Sequence, residues 1–490
     1  IHRVSSPDDA PSAPAPASSS ASAASASPAV AKQGAYGRVK THKHSLWETL
    51  ARPAELMAAV RYKLGRGLGG GPVSAPPSAS PELTRAFAFC DEILVHVSRS
   101  FAAVIQQLPA AVRRAVCVFY LVLRGLDTVE DDTTVAPDTK RESLRSFHSR
   151  LGDEDFAVRG VGAGEERRLL EEFGQVARAF NSLPAGQQAV IADVCRAMGE
   201  GMASFVGTDL SEGTASVAHY NRYCHYVAGL VGEGLSHIFA ETGMEHQDLR
   251  RQLELANHMG LFLQKTNIIR DYLEDLVEGR AFWPRDVWSK HAPRLADLAD
   301  PARSEAALAC LDELVADALA HVPHCLTYLS ELHTPEVFRF CAIPQLMAIA
   351  TLADCLHNRR LFTGVVKIRK TLAVRMIIEC TDMHAVRSWF ASFARVIVGK
   401  ARHSAAREQL NTAVNAILAT CGADARASRG PCNDMAVCAT TAVAFGGLAY
   451  SISQLSRRSR VDATGPFGLI PHPTETTDVI LVAVAFACLA

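Results

Sequence analysis

Between about residues 45 and 415, apolar side chains return every third or fourth residue, as in Leu253, Ala256, Met259, Gly260 and Leu263. That period puts them on one face of an α-helix. Runs of alternating β-branched residues, the mark of half-buried strands, are nearly absent. The pattern predicts an all-α bundle. Phe340–Ala353 is apolar but short, contains Pro344 and Gln345, and stops at Asp354. It predicts a core helix rather than a membrane span.

Both ends break the pattern. From Ala10 to Ala31 the chain holds only Ala, Ser, Pro and one Val. With no large side chain to bury, residues 1–44 read as a disordered leader. Arg is too sparse there to favour a transit peptide. Gly65–Ser80 (GRGLGGGPVSAPPSAS) reads as a flexible insertion. Beyond a linker, 423–434, the run Met435–Leu455 has 21 residues and no charge. That is long enough to cross about 30 Å of hydrocarbon, so a membrane helix is expected. The tail 456–490 carries a second apolar run, Val479–Ala490, too short to span.

Length sharpens the organisation. The 490 residues suggest about three units of ~150 by a soft prior. A stretch of about 370 residues is still compatible with one domain under that prior, so a single domain over 45–422 is expected between the leader and the linker. Apolar residues at 48% and charged residues at 21% permit a large core. Lys plus Arg (50) against Asp plus Glu (51) gives a net charge of -1. A nucleic-acid binder usually has a basic excess, so none is expected. The 13 cysteines form no CxxC pair and no zinc spacing with His. They read as reduced core thiols of a domain facing the cytosol. GxxxxGKS does not occur, and the one GxGxxG match, Gly65–Gly70 (GRGLGG), lies in the Gly-rich insertion with no strand pattern before it, so neither a P-loop nor a Rossmann fingerprint is present.

Two segments carry the chemistry, Leu121–Asp132 (LVLRGLDTVEDD) and Leu261–Asp275 (LFLQKTNIIRDYLED). Each has Asp at i and i+4 with Glu at i+3: Asp127, Glu130 and Asp131, then Asp271, Glu274 and Asp275. On helices these carboxylates share one side and repel. A lone copy is more often a solvated face. Two copies on otherwise apolar helices point to carboxylates directed inward, which need a cation. All-oxygen ligands suit Mg²⁺ shared with a substrate's phosphates. Arg124 and Arg270 beside the motifs are suited to diphosphate oxygens.

The blocks Ser98–Gln106 (SRSFAAVIQ), Leu123–Asp132, Tyr223–Gly232 (YCHYVAGLVG), Gly260–Asp275, Phe282–Trp288 (FWPRDVW), Phe340–Ala350 (FCAIPQLMAIA) and Val366–Lys370 (VKIRK) resemble the squalene synthases of the phytoene/squalene synthase family. The resemblance covers roughly Leu46 to Gly422 outside the Gly-rich insertion. It implies an all-α isoprenoid-synthase bundle with a central cavity. It also implies Mg²⁺-dependent condensation of two farnesyl diphosphates to presqualene diphosphate, then NADPH-dependent reduction to squalene.

Residue by residue, the resemblance makes Asp127, Asp131, Asp271 and Asp275 the Mg²⁺–diphosphate ligands. Glu130 and Glu274 belong to the same metal motifs, as ligands or through hydrogen bonds to them. Ser98, Arg99 and Phe101 match a first substrate block whose Arg binds diphosphate, Arg124 matches a second diphosphate-binding Arg, and Arg270 lines the second acidic helix. Tyr223 matches the proton-transfer Tyr of cyclopropane formation. At an ordinary pKa near 10, it needs a cationic or diphosphate neighbour to act as a base. Gln264 and Asn267 line the second acidic helix, with Asn267 on the NADPH side. Lys367 and Arg369 match residues associated with NADPH phosphates, and Phe340 matches an aromatic of the second half-reaction. Val227, Val231 and Leu235 form an apolar stripe fit for a farnesyl chain, although such a stripe alone is usually core.

The implied setting is the endoplasmic reticulum membrane, with the C-terminal apolar segment inserted, the catalytic domain facing the cytosol and the protein monomeric. The main alternative is a phytoene- or dehydrosqualene-type synthase that does not reduce its product. An integral-membrane prenyltransferase would need many more apolar spans. A non-catalytic isoprenoid-binding membrane protein would not need all four motif aspartates.

Overall fold

A computed structural model describes residues 39–422, apart from 46, 47, 50 and 64–70. The expected linker, membrane helix and tail, and most of the leader, lie outside the described residues. Within them the chain is helical, and the one β feature is a single bridge between Thr41 and Val365.

The helices that build and flank the central cavity are, in chain order, α1 (Pro53–Lys63), α2 (Ala110–Asp131), α3 (Gly164–Glu171), α4 (Ala185–Phe205), α5 (Val217–Cys224), α6 (Leu230–Glu241), α7 (Leu253–Arg270), α8 (Tyr272–Glu278), α9 (Pro335–Cys355) and α10 (Lys370–Glu379). α7 lies at the centre and packs on α6 and α9, while α2 packs on α3 and α4. Each element follows from local sequence. Ser216 caps α5 by accepting from the His219 N–H at 3.1 Å. Gly279, at φ 73°, ends α8 in the left-handed conformation that glycine adopts without strain. α9 is apolar and long enough to cross a membrane, yet 78% of its apolar window is buried inside the protein. It is the core helix that its interrupted pattern predicted.

Between α5 and α6 the chain makes one π turn, His225–Gly229, closed by the Leu230 N–H donating to the His225 carbonyl. Such a turn inserts one residue into the helical register. Its backbone lies directly against α7. A Cβ added at Gly260 would stand 2.2 Å from the Ala228 carbonyl oxygen, and one at Gly232 would stand 2.4 Å from the Ala256 oxygen. Only hydrogen fits at these crossings.

Two stretches with loop-like composition are held in place. Residues 39–44, the end of the expected disordered leader, lie along 360–367. His42 Nε2 bonds the Arg360 carbonyl at 2.8 Å, and His44 Nε2 bonds the Lys367 carbonyl at 2.6 Å. Of the expected flexible insertion, the described part 71–80 is pinned to the bundle. The Val73 N–H donates to Asp91 at 2.8 Å, and Arg113 donates to the Gly71 and Pro72 carbonyls. Backbone groups satisfied by distant side chains order a segment that its composition reads as loose.

Gly260→Ala is expected to destabilise the protein by about 1–3 kcal/mol, because overpacking at a backbone crossing outweighs the better helix propensity of Ala. Urea unfolding would show this as a lower midpoint, and an unchanged midpoint would mean that the two helices separate freely.

Candidate active site

Both acidic motifs open on one cavity of about 430 Å³. Asp127 and Asp131 reach it from the end of α2, and Asp271 and Asp275 from the α7–α8 junction. Asp271 is the joint itself, at φ −94° and ψ 10°, yet the Asp275 N–H still donates to its carbonyl at 2.9 Å. The one-turn spacing of the two carboxylates thus survives the break. The opposite walls are apolar, with Val227, Val231, Leu235, Met259, Leu263 and Phe340. The π turn helps present Tyr223 and the Val227–Leu235 stripe to the same space.

Three of the four motif aspartates meet an arginine directly. Arg124 donates to Asp127 at 2.8 Å and also pairs with Glu166. Arg270 grips Asp271 through two bonds of 2.7 and 2.5 Å. Arg280, just past α8, crosses to the first motif and meets Asp131 at 2.6 Å and Glu130 at 2.5 Å. It therefore ties the second motif's helix to the first motif's carboxylates.

The balance is incomplete, and the carboxylates register it. Burial, reinforced by neighbouring Asp131, pushes Asp127 up to about 7. Burial likewise pushes Glu130 up to about 7 despite Arg280. Burial, with Asp271 and Glu278 adding to it, holds Asp275 well above the usual carboxylate range. Two charged carboxylates in one low-polarity space disfavour each other. Oxygens of Asp127, Glu130 and Asp131 come within 4.8 Å of one another, and Glu130 Oε2 is buried with no hydrogen-bond partner. An all-carboxylate set with an unsatisfied oxygen fits a hard divalent cation such as Mg²⁺.

Tyr223 is buried and stacked on Phe282, with ring centroids 4.3 Å apart. Burial first, then the nearby Glu130, raises its phenol well above the ordinary value, with Arg280 opposing. The ring therefore holds its proton among these carboxylates.

Of the residues expected at the site, Phe101, Arg124, Gln264, Asn267 and Arg270 also line the cavity. Glu130 and Glu274 are buried behind it. Ser98 is off the cavity too. Its hydroxyl accepts from the Phe101 N–H at 3.4 Å, capping the helix Arg99–Ile105. The side chain of Arg99 lies outside the described residues. The basic block differs from expectation. Lys367 is exposed and Arg369 does not line the cavity. Buried Glu55 takes the Arg369 guanidinium at 3.0 and 2.8 Å and also accepts from Thr371 at 2.8 Å. Glu55 thus fixes the Arg369 guanidinium to α1.

The spacing arguments passed over several site residues. Arg280 and Phe282 line the cavity, as do Tyr120 and Glu278. An Arg next to the helix-ending Gly279 was the available signal for Arg280. Glu166 carried none, because it reaches Arg124 only through the packing of α3 on α2.

The raised carboxylates set a pH dependence. Their folded-state pKa exceeds the unfolded one, so the folded state binds more protons between about pH 4 and 7. Stability of the metal-free protein should therefore fall as pH rises through that window. In a chelator, Asp127→Asn is expected to raise the thermal midpoint near pH 8 and to leave it nearly unchanged near pH 4. A midpoint gain that is the same at both pH values would count against the charge explanation.

Comparison with known proteins places this geometry. The squalene/phytoene synthase profile matches residues 94–372. The chain is 46% identical over 339 residues to a squalene synthase of Homo sapiens, covering 69% of this chain and 79% of that protein. It is 48% identical over 312 residues to squalene synthase BSS of Botryococcus braunii, covering 62% of this chain and 67% of that protein. Among solved structures, a complex of TcSQS with the ligand BPH1237 superposes with a TM-score of 0.66 at 41% identity, covering 70% of this chain and 99% of that one.

Proposed function

The chain belongs to the squalene/phytoene synthase family and is an enzyme of the squalene synthase type with the isoprenoid-synthase fold, and from there we propose that it joins two farnesyl diphosphates head to head into presqualene diphosphate and reduces that product to squalene with NADPH. The observation that carries the reading is the meeting of two DxxxD motifs and three arginines at one cavity with apolar walls.

The side chains divide the work by chemistry. Asp127 and Asp131, with Asp271 and Asp275, would hold Mg²⁺, with Glu130 and Glu274 behind them. Bound there, Mg²⁺ supplies positive charge against the departing diphosphate. Arg124, Arg270 and Arg280 offer donor forks to the same diphosphate oxygens. Loss of the diphosphate leaves an allylic cation that must be kept from water. Val227, Val231, Leu235 and Phe340 exclude water, and the aromatic faces of Tyr223, Phe282 and Phe340 attract the cation. Tyr223 enters this chemistry protonated. A proton leaving the substrate during ring closure is best relayed through its hydroxyl to the released diphosphate. Asn267, which lines the cavity, with Lys367 and Arg369 would bind NADPH, and Glu55 holds the Arg369 guanidinium in place. The NADPH reduction rests on the likeness to squalene synthases.

The cellular setting is proposed on similar grounds. The ten cysteines among the described residues are all buried, in keeping with a domain on the cytosolic side. The resemblance to mammalian squalene synthases and the water-insoluble product favour the endoplasmic reticulum membrane. Met435–Leu455 would be the anchor and the catalytic domain a monomer.

Incubating the full chain with farnesyl diphosphate and Mg²⁺, with and without NADPH, tests the reading. Squalene is expected only when NADPH is present. A thirty-carbon product unaffected by NADPH would make it a dehydrosqualene-type synthase instead. Asp127→Asn and Asp271→Asn are each expected to lower kcat/KM by about 10²–10³, the scale of losing one preorganised electrostatic partner. Full activity in either variant would remove its carboxylate from the metal site.

A further inference from the structure

Glu166 sits outside both acidic motifs and off the cavity surface, yet its carboxylate meets the Arg124 guanidinium. Arg124 is thereby held between two acids on different helices. Nη1 donates to Asp127 on α2 at 2.8 Å, and Nη2 donates to Glu166 on α3. Its Nε is buried without a partner. An Arg side chain left loose loses rotamer entropy when it is fixed, so holding it beforehand favours whatever it must later bind.

The chain places Glu166 with several independent contacts. Asp132, the last acid of the first motif, accepts from the Gly162 N–H at 2.7 Å. Arg167 donates twice to the Gly162 carbonyl, at 2.9 and 2.7 Å. Gly162 has φ +77°, and a Cβ there would lie 2.5 Å from Thr128 Cγ2 on α2. The turn that starts α3 is therefore docked on the motif helix one turn from Asp127, with Glu166 in the first turn of α3. A carboxylate there also favours the helix N-terminus.

We infer that Glu166 is a positioning residue for the diphosphate site: it draws one arm of the Arg124 fork away from Asp127, so that Asp127 keeps an oxygen for the cation and Arg124 stays aimed at the diphosphate. This deepens the proposed function and rests on its assignment of Arg124 to the diphosphate. Without the Glu166 carboxylate, both arms of Arg124 fold onto Asp127, the nearest remaining acid. Arginine and Mg²⁺ then compete for the same oxygens.

The test uses the full chain and inorganic pyrophosphate as the probe, with binding measured by calorimetry across a Mg²⁺ series. Glu166→Gln keeps the shape and removes the charge. It is expected to weaken pyrophosphate binding about tenfold, as loss of an outer partner of a metal site commonly does. The Mg²⁺ needed for half-maximal binding should rise, and the ligand-free protein should keep a cooperative thermal transition. In an Arg124→Ala background, Glu166→Gln should add nothing further. Wild-type affinity in Glu166→Gln, with affinity lost in Arg124→Ala, would overturn the positioning role while leaving the site assignment standing. An equal loss from Glu166→Gln whether or not Arg124 is present would also overturn it. Wild-type affinity in Arg124→Ala would overturn the diphosphate reading itself, and the inference with it.

Discussion

Carboxylates that face one low-polarity cavity cannot all be charged unless something opposes them, and much of this structure answers that constraint. Asp127, Asp131, Asp271 and Asp275 line the cavity, with Glu130 directly behind. Arg124, Arg270 and Arg280 meet Asp127, Asp271 and Asp131 in turn. The opposition falls short, as the raised Asp127, Glu130 and Asp275 record. A site with residual negative repulsion is poised for divalent cations, and arginines already in place are poised for the anion that those cations carry.

The same constraint shapes the scaffold. α7 must bring its acidic end beside that of α2 while its middle forms an apolar wall. It does so by lying backbone to backbone against the π turn, where Gly229, Gly232 and Gly260 leave room only for hydrogen. The π turn helps set Tyr223 and the Val227–Leu235 stripe against the cavity. Arg280 then locks the two motif helices from the far end. Packing at the glycines and ion pairing at the motifs thus hold one geometry from two sides.

Two departures from expectation share a cause. The block Lys367–Lys370 looks like a free basic cluster in sequence, and residues 39–44 and 71–80 look loose. In the fold, buried Glu55 engages Arg369 and Thr371, and distant side chains tie down the two segments. Each tie joins residues far apart along the chain, so neither local composition nor spacing signals it.

The sequence by itself determined the helical class, the core character of Phe340–Ala353, the two acidic motifs and the apolar stripe after Tyr223. All of these are short-range patterns over a few helical turns, local enough to survive the break at Asp271 and the π turn at 225–229. Most of the site residues named from those patterns and from the family resemblance do line the cavity. Only the tertiary structure decided which charges meet: Arg280 with Glu130 and Asp131, Glu166 with Arg124, and Glu55 with Arg369. Ion pairs between helices depend on how the helices cross. The crossing is set by side-chain volume and close backbone contact summed over the bundle, which no local spacing along one helix records.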